Sequence, residues 1–268
     1  MDLSFHVTAT VPAHERMLRH AAPWRKLRLP VRFGLLRHPR LGAVLIDTGY
    51  SAHALHAPGR SAGLRAYGKL LRPSLVAGGS VADVLAAHRL APADVAAVIL
   101  THLHPDHVSG LTDFPAARIH LAADAGAALA ARHPMRQGLF PELLPADLAT
   151  RTARFEDAPA APQPGGLGLG HDVFGDGSVF AIPLPGHAPG HVGLRFAGDG
   201  LLYAADTEWL RSALPDPRLP PLPLRAIVDD APAFLASKTR VAAFAAAGGD
   251  VLLCHQPERH RLDRGTWT

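Results

Sequence analysis

The sequence predicts an α/β protein, a single domain over residues 1–268, with its chemistry gathered where strands end. Three observations carry this. Short apolar runs of strand character alternate with segments of helical periodicity, the order expected when helices cover a sheet. The chain is 48% hydrophobic over 268 residues, enough to bury a sizeable core. Several of its apolar runs close on Asp or His, where the side chains of neighbouring strands can converge.

The elements follow in order. VRFGLLRH (31–38) and LGAVLIDTG (41–49) predict a hairpin whose second strand is buried and ends at Asp47. Residues 50–79 hold glycines and basic residues with poor periodicity and are expected to form a long insertion, a lid or a surface excursion. SVADVLAAHRL then predicts a helix, with Ser80 as N-cap, Asp83 three residues later, and Val81, Val84, Leu85 and His88 on one face. VAAVILT (95–101) is an apolar strand, RIHLA (118–122) another, and ADAGAALAARH a helix; residues 134–170 are Pro-rich and expected to be irregular. GGLGLG (165–170) opens no helix and fails the dinucleotide-binding pattern. SVFAIPLPGHAPGH (178–191), VGLRFAG (192–198) and GLLYAADT (200–207) read as strands closing on His or Asp. The prolines of LPDPRLPPLPLR (214–225) exclude a central strand or helix. A helix is predicted at 231–248, stopped by Gly248-Gly249, and DVLLCHQP (250–257) is a last buried strand ending at His255.

Composition removes some functions. No apolar run reaches the roughly eighteen residues a membrane helix needs. The N-terminus lacks the basic and apolar regions of a secretory signal, so a cytoplasmic location is expected. Net charge is +4 with basic residues scattered, which argues against a nucleic-acid groove. The single cysteine, Cys254, rules out an internal disulfide and a cysteine-based structural zinc site, and is expected to pack as a small hydrophobe beside His255. A metal would therefore be held by imidazole and carboxylate, and the chain has 17 histidines.

THLHPDHVSG (101–110) places three histidines and one aspartate between His102 and His107, directly behind an apolar strand. On extended chain His102 and His104 project to one side, and Pro105 forces a turn that lets Asp106 and His107 approach from another direction. One loop could thus feed two adjacent metals.

The motif resembles the H-x-H-x-D-H signature of the metallo-β-lactamase superfamily. The order around it is similar too: a strand ending in Asp47 before it, then PGHAPGH, AADT, and a terminal strand ending in Cys-His, over about residues 31–257. The resemblance implies an αββα four-layer sandwich with two mixed β-sheets and the metals at one edge. It implies His102, His104 and His187 as ligands of a first metal, Asp106, His107 and His255 as ligands of a second, and Asp206 as a bridge. PGHAPGH offers both His187 and His191, and the family pattern uses the first. Asp47 is expected to accept a hydrogen bond from a ligand imidazole and fix its tautomer.

This ligand set implies two divalent ions, zinc first with manganese, iron or cobalt as alternatives. About 3.5–4 Å apart, they share a hydroxide that attacks a polarised carbonyl, with Asp106 and Asp206 as the catalytic carboxylates. By layout the chain is most similar to acyl-homoserine-lactone lactonases, quorum-quenching hydrolases, which implies a small ester or lactone substrate. A glyoxalase II-type thioester hydrolase and a persulfide dioxygenase-type iron oxidoreductase are the alternatives; a nuclease of the superfamily would need a clamp domain or basic exosite. Oligomeric state is open, a homodimer being compatible. In TEWLRSALPDPRLPPLPLR, Trp209, Leu210, Leu214, Leu219, Leu222 and Leu224 are expected either to wall a pocket for an acyl tail or to pack the loop onto the sandwich.

Overall fold

A computed structural model describes residues 1–267. The strands β1 (Asp2–His14), β2 (Lys26–His38), β3 (Gly42–Ile46), β4 (Ser74–Leu75), β5 (Val95–Ile99), β6 (Arg118–Leu121) and β7 (Thr152–Arg154) form one mixed sheet in the order β4-β1-β2-β3-β5-β6-β7. A second mixed sheet has the order β13-β12-β11-β10-β9-β8, from β8 (Ala160–Gln163), β9 (Gly168–Asp172), β10 (Val179–Pro183), β11 (Val192–Phe196), β12 (Leu201–Ala205) and β13 (Asp250–Leu253). The helices are α1 (Glu15–Leu18), α2 (Ala52–His56), α3 (Ala62–Leu71), α4 (Val81–Ala87), α5 (Pro105–Val108), α6 (Ala123–Leu129), α7 (Leu148–Arg151) and α8 (Ala231–Ala246).

Strand alternation makes the layers. Val44 and Ile46 of β3 meet Leu201, Tyr203 and Ala205 of β12 in the core between the sheets. The intervening Ala43 and Leu45 face outward onto Leu64 of α3 and Val81, Val84 and Leu85 of α4. On the far side, Leu202 and Ala204 meet Val241 and Phe244 of α8. The result is the αββα sandwich, with strands buried on both faces, which is why they read as continuous apolar runs rather than alternating ones.

Two regions are more regular than their composition predicts. The insertion at 50–79 contains α2 and α3, each capped by a serine hydroxyl, Ser51 and Ser61, that accepts from the backbone of the first turn. Its periodicity is poor because α3 buries only Leu64 fully. Residues 134–170, expected to be irregular, carry α7, β7, β8 and the start of β9; β7 and β8 are edge strands and β9 lies next to one, and all three are short and only partly buried, so they need no apolar run. The helix at 80 and the proline-rich loop have their predicted character, with Ser80 accepting from Asp83 N–H.

The apolar residues after Asp206 mainly pack the loop. Trp209, Leu210 and Leu214 are buried, Leu219 and Leu224 are partly covered by the cluster around Leu18, Leu29 and Phe234, and only Leu222 projects freely, 73% exposed. Of the expected wall, Trp209 reaches the histidines, its ring centroid 5.6 Å from that of His187.

Candidate metal centre

Parallel pairing sets the site. β3 lies parallel to β5, and β12 parallel to β13, so the loops following them open at the same edge. The two sheets are tied there by Val192 N–H to Thr101 O at 3.0 Å. Asp47 (φ 56°) and Ala205 (φ 44°) both take left-handed backbone as the chain leaves its strand. Such conformations cost on the order of 1–3 kcal/mol and persist only where the surroundings enforce them. Each turns a carboxylate, its own or that of the next residue, toward the histidines.

The fold gathers all seven residues singled out as ligands. Facing nitrogens of His102, His104 and His187 form one group, with His102 Nε2 to His104 Nδ1 at 3.1 Å and His187 Nε2 to His104 Nδ1 at 3.0 Å. His107, Asp206 and His255 form a second group, which Cys254 also borders. Asp106 adjoins it, its Oδ2 3.3 Å from His255 Nε2 and 3.7 Å from His107 Nε2. Asp206 faces both groups: it is 3.5 Å from His187 Nε2, 3.5 Å from His107 Nε2 and 3.1 Å from His255 Nε2.

Hydrogen bonds outside the cluster decide which ring nitrogen looks inward. His107 Nδ1–H donates to Asp47 Oδ2 at 2.8 Å, the contact expected of Asp47. Thr101 Oγ1 donates to the same carboxylate and stands 3.1 Å from His102 Nδ1, whose proton it can accept. His104 Nε2–H donates to Gln137 O at 3.0 Å, and His255 Nδ1–H to Pro30 O at 2.9 Å. These partners require tautomers that leave Nε2 of His102, His107 and His255, and Nδ1 of His104, as lone pairs aimed into the cluster.

A divalent cation fits this arrangement. The acceptor nitrogens of His102 and His104 face each other at 3.1 Å and repel unless a cation sits between them, and His187 Nε2 lies 3.0 Å from the same His104 nitrogen. Zinc–nitrogen bonds of about 2.0–2.1 Å set tetrahedral ligands roughly 3.3 Å apart, close to what is seen. Buried His107 Nε2 and Asp206 Oδ1 have no hydrogen-bond partner, and both point to the space a second ion would occupy. The electrostatics divide likewise. Burial, then repulsion from neighbouring imidazoles, holds His102 and His187 well below the usual histidine range, neutral and ready to ligate. Burial opposes charge on His107 and His255 too, but the carboxylates around them, with Asp206 in both cases, outweigh it.

A sequence model of the metallo-beta-lactamase superfamily matches residues 28–253. The chain belongs to the metallo-β-lactamase superfamily. It is 31% identical over 210 residues to the N-acyl homoserine lactonase AttM of Azorhizobium caulinodans, covering 70% of each chain. It is 30% identical over 186 residues to a probable metallo-hydrolase of Mycobacterium tuberculosis; the match takes in 65% of this chain and spans only 55% of that relative. Among solved structures, an AiiA variant of B. thuringiensis with N-decanoyl-L-homoserine bound has a TM-score of 0.69 at 21% identity, over 96% of this chain and 94% of that one. AidC, a dizinc quorum-quenching lactonase, has a TM-score of 0.65 at 15% identity, over 95% and 87%. At such identities the structural likeness speaks for the fold.

Within this metallo-β-lactamase frame the two histidines of PGHAPGH separate cleanly. His191 Nδ1–H donates to Leu184 O at 2.7 Å, and its Nε2 accepts from Asp206 N–H at 3.1 Å, so neither nitrogen is left for a metal. It holds the backbone of Asp206. His187 instead turns Nε2 into the cluster, released by Gly186 (φ 120°), where a Cβ would lie 2.0 Å from Phe234 N. His187→Ala is therefore expected to lower metal content and to reduce kcat/KM by about 10²-fold or more, whereas His191→Gln retains metal and loses about tenfold or less. Elemental analysis beside steady-state kinetics checks this, and the reverse order would exchange the two roles. Sequence reading missed His191's hold on Asp206, the Thr101 hydroxyl and the Gln137 carbonyl, since nothing local marks them. Cys254 packs in the inter-sheet core as expected, yet it also borders the second group.

Proposed function

We propose that this chain is a dinuclear metal-dependent hydrolase that opens an ester-like bond, with a small lactone of the acyl-homoserine type as substrate. The observation that carries the reading is Asp206, whose carboxylate faces His187 of one group and His107 and His255 of the other. A single carboxylate so placed suits two ions, with His102, His104 and His187 holding one, Asp106, His107 and His255 the other, and Asp206 both. Zinc suits the imidazole–carboxylate set. Bound there, two such ions would lower the pKa of a shared water from 15.7 toward about 7 and polarise a carbonyl.

The protein's own part is orientation and exclusion of water. Asp47, Thr101, Gln137 O and Pro30 O hold the imidazoles, and Trp209 and the segment carrying Phe140 cover them. That cover is apolar, which suits an acyl chain better than the charged tripeptide of a glutathione thioester. The likeness to AttM supports a lactone. We read residues 1–268 as one domain, because both sheets contribute to the one site, and we keep a cytoplasmic location as part of the proposal.

A panel of acyl-homoserine lactones, glutathione thioesters, phosphodiesters, β-lactams and persulfides, assayed on zinc-, manganese- and iron-loaded protein, tests the proposal. Lactones are expected to be opened fastest, with kcat/KM rising as the acyl chain lengthens until the cover is filled, each buried methylene contributing about 0.8 kcal/mol. Faster turnover of glutathione thioesters, or oxygen uptake with a persulfide on iron, would replace the lactonase reading.

A further inference from the structure

Five imidazoles make up the proposed ligand set, and four are held from behind by a hydrogen bond: His102 by Thr101 Oγ1, His104 by Gln137 O, His107 by Asp47 and His255 by Pro30 O. His187 is the exception. Its Nδ1 is buried and has no hydrogen-bond partner among the described residues. A ligand imidazole almost always spends this second N–H on an outer acceptor, which fixes its tautomer and its rotation. The ring of His187 has to be held by packing instead.

The rings around it are His102, His104 and His191, at centroid distances of 4.9, 4.8 and 5.5 Å, and Trp209 at 5.6 Å. The three imidazoles have partners of their own. Trp209 meets His187 at an interplanar angle of 73°, near the edge-to-face arrangement that aromatic pairs prefer, and stacks behind on Phe234 of α8 at 6.3 Å. What fixes Trp209 is a buried charge pair. Lys238 Nζ lies 2.7 Å from Glu208 Oε2, and both side chains are at most 3% exposed. The other carboxylate oxygen, Glu208 Oε1, accepts from Trp209 N–H at 2.9 Å, so the pair grips the backbone of the tryptophan itself. Lys238 follows Phe234 by one turn of α8 and also donates to Arg218 O at 3.2 Å, which ties the proline-rich loop to the same point. Ser237 Oγ donates to Pro185 O at 2.8 Å, so α8 holds the loop of His187 as well.

We propose that Trp209, anchored by the Glu208–Lys238 pair, is the positioning residue for His187 and stands in for the hydrogen bond that the other ligand imidazoles have. This rests on the reading of His187 as a metal ligand. The indole limits rotation of the imidazole about its Cβ–Cγ bond, so that Nε2 stays aimed at the cluster, and the charge pair sets where the indole stands. A buried ion pair often adds no net stability over apolar residues of similar volume, whereas it does fix geometry when both partners are fully committed, as Glu208 is to Lys238 and Trp209 N–H. Asp206 lies two residues before Glu208, so one anchor serves the bridging carboxylate's segment and the histidine it faces.

Zinc affinity, titrated against a chromophoric chelator on the full chain, tests this without reference to any substrate. Trp209→Ala is expected to weaken one of the two ions by about 10–100-fold, the loss seen when the outer support of a ligand is removed. Trp209→Phe keeps an aromatic ring against the imidazole and should stay within about threefold of the natural protein. His187→Ala weakens the same ion at least as much, and adding Trp209→Ala to it brings no further loss, because the tryptophan acts only through the histidine. Glu208→Gln with Lys238→Met removes the pair without leaving a buried charge unmatched, and is expected to weaken that ion by about tenfold while the folded circular-dichroism spectrum is kept. Natural affinity in Trp209→Ala, or losses that multiply in the double variant with His187→Ala, would overturn the positioning role while His187 remains a ligand. Natural affinity in His187→Ala would instead remove the ligand reading, and the role of Trp209 with it.

Discussion

Asp206→Ala is expected to lose most of its metal at both positions and to lose at least about 10²-fold in kcat/KM, since even removing a partner that merely supports a ligand costs 10–100-fold in affinity or activity. The argument is electrostatic as well as geometric. Asp206 is the carboxylate shared by the neutral His102–His104–His187 group and the His107–His255 group, and its Oδ1 has no other partner. Its removal leaves two sets of inward-facing lone pairs with Asp106 beside the second of them and Asp47 behind His107. The fold around it is held independently, by His191 on the Asp206 backbone and by Cys254 N–H to Ala205 O at 3.0 Å. Loss of metal without loss of the folded circular-dichroism spectrum is therefore the expected signature. A variant with full metal and full turnover would remove Asp206 from the site.

The largest expected effect on stability is at Asp263. Arg32 of β2 is fully buried, and its guanidinium makes two bonds of 2.9 Å to the Asp263 carboxylate. It also donates to the carbonyls of Cys254 at 2.9 Å, Gln256 at 2.7 Å and Glu258 at 3.1 Å. One side chain thus fastens the turn after β13, which carries His255, to the strand whose Pro30 carbonyl orients that imidazole. Asp263→Ala would strand a buried guanidinium, at a cost of about 3–5 kcal/mol. Urea unfolding of metal-free protein measures it, and zinc affinity should fall in parallel as His255 loses its anchor. A change below about 1 kcal/mol would show that the carbonyls alone satisfy Arg32.

Neither Arg32 nor Asp263 is distinguishable in the sequence from the other arginines and aspartates. In linear order Arg32 is one residue of a strand and Asp263 one of a charged tail, 231 positions apart. The same holds for α3, whose single fully buried residue leaves too weak a period to detect, and for the short strands between 152 and 172.

What the sequence determined by itself was the order of strands and helices and the local cluster of His102, His104, Asp106 and His107; the layer order and the remaining ligands came from the resemblance to the metallo-β-lactamase superfamily. Short apolar runs such as VAAVI and LLYAA suit strands covered on both faces, and a loop that follows a buried strand emerges at the sheet edge. His102, His104, Asp106 and His107 are brought together by a few covalent bonds and one proline, so local geometry suffices for them. Tertiary structure alone decided orientation. Which nitrogen of each imidazole faces inward depends on partners such as Asp47, Gln137 and Pro30, which lie 60, 33 and 225 residues away. The choice between His187 and His191 depends on a carbonyl and a backbone amide that no spacing rule reveals. The leucines after Asp206 were apolar enough for either a pocket wall or packing, and the proximity of Leu18, Leu29 and Phe234 turned most of them toward the core. Short-range geometry is written in residue spacing; a ring's rotation is settled by the hydrogen bond at its far end, and that bond exists only once distant chain segments have met.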